Sequence, residues 1–104
     1  MVGDPVTETE ARTVVRRVLD LAEITATVDF DERFPEYQIH GMTVFTDPPK
    51  IWLSPVLLDD PDELLATAIH EAAHIVAGDD GHGWQFMEQL TPLMVKIYMH
   101  GALA

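Results

Sequence analysis

One stretch constrains this chain more than any other: residues 67–86, TAIHEAAHIVAGDDGHGWQF. His70 and His74 stand four apart, with Glu71 beside the first of them. On an α-helix, residues four apart lie on one face, one turn above each other. Both imidazoles then point at one ion, and the Glu71 carboxylate reaches a water on that ion. The pattern supplies two metal ligands and a general base. Ile69, Ala72, Ala73, Ile75, Val76 and Ala77 around them carry no charge, so the helix is expected to be buried with only its metal-facing side polar. Gly78 ends the apolar run and suits a left-handed C-cap. Upstream, Asp60-Pro61-Asp62-Glu63 opens the same helix. Asp60 is placed to cap, Pro61 takes the first helical position, and Glu63 offers a capping-box carboxylate.

A catalytic zinc site takes three protein ligands and keeps one position open. His82, in Gly81-His82-Gly83, lies eight residues past His74, and glycines on both sides permit it to fold back onto the helix. Glu88, fourteen residues past His74, is the rival third ligand, supplied from a following helix. The adjacent carboxylates of Asp79 and Asp80 read as solvent-facing rather than as a second cation site.

HEAAH, a short glycine-containing loop and then GHGWQF resemble the SprT-like metallopeptidase domain, whose pattern is HExxH followed by H-G-x-x-F. Upstream, Ile51-Trp52-Leu53-Ser54-Pro55, with Leu57, Leu58, Pro61, Glu63 and Leu64, is similar to the strand and helix start before that family's active-site helix. The resemblance covers about residues 50–90. It implies a zincin-like α+β fold, zinc on His70, His74 and His82, Glu71 as catalytic base, and a protein or peptide substrate. The family often carries a Cys-rich zinc ribbon or another DNA-binding region after the domain, whereas this sequence contains no cysteine.

A length of 104 residues allows one domain, 1–104, with one modest core. Without cysteine, any staple must be the core or a metal. No apolar run approaches a membrane span. The opening MVGDPVTETEAR is acidic and polar, unlike a signal peptide, so a cytoplasmic location is expected. Eighteen acidic against six basic residues give a net charge of −12, which repels phosphate backbones and argues against a nucleic-acid partner. Oligomeric state is not legible.

Residues 1–6 read as a loose leader. Thr7 and Glu10 form a capping box before Ala11, Val14, Val15, Val18, Leu19 and Ala22, which recur at helical spacing. Arg12, Arg16 and Arg17 are expected on a solvated face among Glu8, Glu10, Asp20 and Glu23. Residues 25–30 (TATVDF), 37–46 (YQIHGMTVFT, with a bulge at Gly41) and 50–54 read as three strands of a mainly antiparallel sheet or meander. After His82, a stripe of Trp84, Phe86, Met87, Leu90, Leu93, Met94 and Ile97 is expected in the core. Pro92 should interrupt that last helix or begin another, with Thr91 as cap. His40, mid-strand, and His100, at a helix end, have no partner at ligand spacing. Tyr37 and Tyr98 are weighed as oxyanion donors against the plainer role of packing or surface tyrosines.

The residues thus point first to a zinc-dependent peptide hydrolase. A non-catalytic or latent zinc-stabilised module is the alternative, since so short a chain leaves little room for substrate subsites. A metal-dependent endoribonuclease is a weaker one, opposed by Glu71, the eight-residue spacing and the acidic charge.

Overall fold

A computed structural model describes residues 4–78 and 83–99. The order is α1 (Glu8–Leu21), β1 (Thr27–Phe30), α2 (Phe34–Tyr37), β2 (Gly41–Val44), β3 (Lys50–Leu53), a 3-10 turn (Pro55–Asp59), α3 (Pro61–Ala77) and α4 (Trp84–Met99). The class is α+β.

The helix ends follow local chemistry. Thr7 and Glu10 close a reciprocal capping box on α1. Asp60 accepts from the Glu63 amide at 3.2 Å and so caps α3. Glu63 does not return the bond, because the Asp60 amide already donates to the Leu57 carbonyl. The Glu63 carboxylate stands instead 3.5 Å from His40 Nδ1. Gly78, at φ 82°, ends α3 in the left-handed region, where glycine carries no Cβ penalty.

The sheet is mixed, and the expected meander is not formed. Its order is β1-β3-β2, with β1 parallel and β2 antiparallel to β3. Only β2 and β3 are joined by a short turn, and they pair as a hairpin does. Residues 31–40 between β1 and β2 are long enough to carry the chain past the central strand, and they include the one-turn helix α2. Tyr37 belongs to that helix rather than to a strand. His40 precedes β2 rather than lying within a strand, and Gly41 begins β2 in regular register without a bulge.

The pleat sorts the sheet into two faces. Val28, Ile51 and Thr43 form one inward row, and Phe30, Leu53 and Gly41 the next. Ile51 and Leu53 are fully buried in the core with Ala11, Val15, Val18 and Leu19 of α1, and with Leu64, Ala68, Ile69, Ala72 and Ala73 of α3. Phe86, Leu93 and Ile97 bring α4 onto the same core.

Four further expectations are corrected. Val6 is no loose leader: its amide donates to the Leu58 carbonyl at 2.8 Å and its side chain packs on the core. Arg12 is not simply solvated. It ties α1 to β1 by donating to the Val28 carbonyl and to Asp29 Oδ1. Pro92 lies inside an unbroken α4. The carbonyl deprived of its helical donor is that of Glu88, an exposed residue that water can serve. The α4 stripe is only partly core: Trp84 (76 % exposed), Met87 and Met94 face outward, because α3 covers just one side of α4.

No helix among the described residues is long and apolar enough to cross a membrane.

Candidate metal and hydrolase site

The site is assembled where α3 meets β2 and α4. Four-residue spacing puts the His70 and His74 rings on one face of α3, with Nε2 atoms 3.2 Å apart. Two nitrogens each about 2.0–2.1 Å from one tetrahedral zinc stand about 3.3–3.4 Å apart. The pair therefore fits one edge of a zinc tetrahedron. The same distance serves a hydrogen bond between two neutral rings, one donating and one accepting.

Phe86 of α4 backs the pair. Its ring centre lies 5.0 Å from that of His70 and 4.5 Å from that of His74. The two imidazoles themselves meet edge to face at 4.8 Å. With Phe86 buried and His74 only 5 % exposed, the rings have little freedom to turn away from each other.

Glu71 is 6 % exposed, and Thr43 of β2 donates its hydroxyl to Glu71 Oε1 at 2.7 Å. A buried carboxylate needs such a donor, since losing water without replacement costs several kcal/mol, about 1–3 even for a neutral group. The approach of β2 to α3 depends on Gly41. A Cβ there would lie 2.8 Å from Thr67 Cγ2 and 3.3 Å from Glu71 Oε2. A side chain there would force Thr67, Glu71 or the strand itself to shift.

Between α3 and the segment that leads into β2 lies an open groove of about 400 Å³, lined in part by His40, Gly41, Thr67, His70 and Glu71. Glu71 thus meets the groove despite its burial. Neither Tyr37 nor Tyr98 lines it, and both are exposed on other surfaces.

Of the residues singled out in the sequence, His70, Glu71 and His74 come together. His82, Asp79, Asp80 and His100 lie outside the described residues. Glu88 is exposed on α4, and among the described residues no group of three or more His, Cys, Asp or Glu side chains is gathered to hold a metal. Sequence reasoning missed Thr43 and Thr67, and took Phe86 for plain core. The signals were faint: a glycine within a strand marks a close backbone approach, and Thr67 lies one turn before Glu71 on the same face.

No protein-family model, no curated protein and no solved structure matches the chain.

Proposed function

We propose that the chain is a zinc-dependent peptide hydrolase of the SprT-like kind, with His70, His74 and His82 as ligands and Glu71 as general base. The observation that carries the reading is the imidazole pair at 3.2 Å, with the Glu71 carboxylate of the same helix opening onto the adjacent groove. When bound, zinc supplies a Lewis acid that polarises a carbonyl and brings the pKa of water down toward 7.

The rest is work for the chain's own groups. Glu71 accepts the proton of the attacking water and returns it to the departing amine. Thr43 keeps the carboxylate in place while it does so. β2 is an edge strand whose first residue, Gly41, lines the groove, so its free side offers backbone groups to an extended peptide. The net charge of −12 favours a protein substrate over a nucleic acid.

One observation favours a second reading. The hydrogen bond from Thr43 joins strand to helix, as a purely structural Glu71 would. A zinc-stabilised module without activity would need nothing more. Peptide hydrolysis by wild type and Glu71→Gln, both carrying one zinc, separates the two. The peptidase reading expects a loss of about 10²–10⁴ in rate, as removal of a general base gives. The structural reading expects no zinc-dependent hydrolysis in either protein.

A further inference from the structure

The Glu71 carboxylate is held asymmetrically. Oε1 takes the Thr43 hydroxyl at 2.7 Å. Oε2 lies beside Gly41, where the missing side chain leaves it room. Gly41 and Thr43 are two apart on β2 and so share the face turned to α3. One strand therefore does two things to one carboxylate. It anchors the first oxygen, and it leaves the second beside the groove that Gly41, His70 and Glu71 line.

We propose that Thr43 is a positioning residue for Glu71: by fixing Oε1, it makes Oε2 the atom that receives the proton of the attacking water. The role rests on the peptidase reading above. A glutamate carboxylate turns freely about its last torsion, which has broad minima and no strong preference of its own. One charge-assisted hydrogen bond of this length is enough to choose an orientation. A hydroxyl is required for this, and a methyl group of the same size cannot replace it. Because Gly41, the first residue of β2, also lines the groove, a peptide entering the groove there would meet the base already aimed.

The test uses the full chain loaded with zinc, as wild type, Thr43→Val, Thr43→Ala and Thr43→Ser. Each is measured for zinc content, melting temperature, kcat and KM on a peptide substrate, and by crystallography. Valine keeps the shape and loses the donor; serine keeps the donor. Thr43→Val should retain one zinc and a KM close to wild type while kcat falls about ten- to a hundredfold, less than loss of the base itself. Thr43→Ser should recover most of kcat. In the crystal, the Glu71 carboxylate of Thr43→Val should be rotated from its wild-type orientation. Should the valine variant not fold, alanine takes its place against serine. An unchanged kcat without the hydroxyl, or serine no better than valine or alanine, overturns the role. If wild type hydrolyses no peptide, the peptidase reading fails and the proton-accepting role of Oε2 falls with it, whereas an active wild type whose kcat ignores the hydroxyl overturns the role of Thr43 alone. The crystals separately test the anchoring: a Glu71 carboxylate unmoved by loss of the hydroxyl rejects it.

Discussion

Phe86 rests on His74 with ring centres 4.5 Å apart, across the junction of α4 and α3. The residues are twelve apart in the chain, and the contact makes the last helix part of the imidazole pair's setting. Hydrogen-bonding groups that orient metal ligands typically cost about 10–100-fold in affinity when lost, and a packing contact that restrains the same rings is expected at the lower end. Phe86→Leu keeps an apolar side chain but loses the flat ring. Zinc affinity, measured by competition with a chelator, should fall about tenfold. Stability should fall by about 1–2 kcal/mol, since a smaller side chain in a buried site leaves part of the ring's volume unfilled. Unchanged affinity would mean that Phe86 serves the core alone.

Gly41 is where strand and helix come closest. In Gly41→Ala the new methyl would stand 2.8 Å from Thr67 Cγ2. Overpacking of this kind costs about 1–3 kcal/mol. Thr67→Ser removes the opposing methyl, so the double variant Gly41→Ala with Thr67→Ser should recover much of that loss. Denaturant melts of the single and double variants give the coupling directly. Strictly additive effects would show that the two positions do not meet.

Much of this architecture was readable from local chemistry. The Thr7–Glu10 box, the Asp60 cap and the Gly78 terminus each involve residues within one turn of each other, so sequence spacing specifies them. The His70–His74 pair was legible for the same reason. Strand order was not, because the parallel pairing of β1 with β3 joins Thr27 to Lys50 and depends on how residues 31–40 travel. Thr43 was hidden by the same distance: nothing near it in sequence says that its hydroxyl will meet Glu71, 28 positions away. Pro92 misled because an exposed helix side tolerates a lost backbone bond that a buried one would not.

Arg12, Asp29 and Lys50 join α1, β1 and β3 at the surface, with Asp29 accepting from Arg12 at 2.9 Å and lying 3.0 Å from Lys50 Nζ. Lys50 first, and then Arg12, hold the Asp29 carboxyl below its ordinary value of 3.8. A depressed folded-state pKa stabilises the fold above the unfolded value, and that contribution is lost as pH falls through the folded one. The stability difference between wild type and Asp29→Asn should therefore be constant near neutrality and shrink on acidification below 3.8. Because the group is exposed and screened, the difference should be about 1 kcal/mol or less. Thermal melts from pH 7 to about 2 check this. A difference that persists undiminished to the acid end would assign it to packing rather than charge.

Every role proposed for His70, Glu71 and His74 depends on a metal held between the two imidazoles. Anomalous diffraction at the zinc edge, from crystals of protein purified without added metal, measures that. One strong peak is expected per chain, about 2.0–2.1 Å from Nε2 of both His70 and His74, with His82 completing the protein ligands. A peak held by Glu88 in place of His82 would keep the metal and reject the SprT-like assignment. No peak at the pair, even after zinc is supplied, would contradict the account itself.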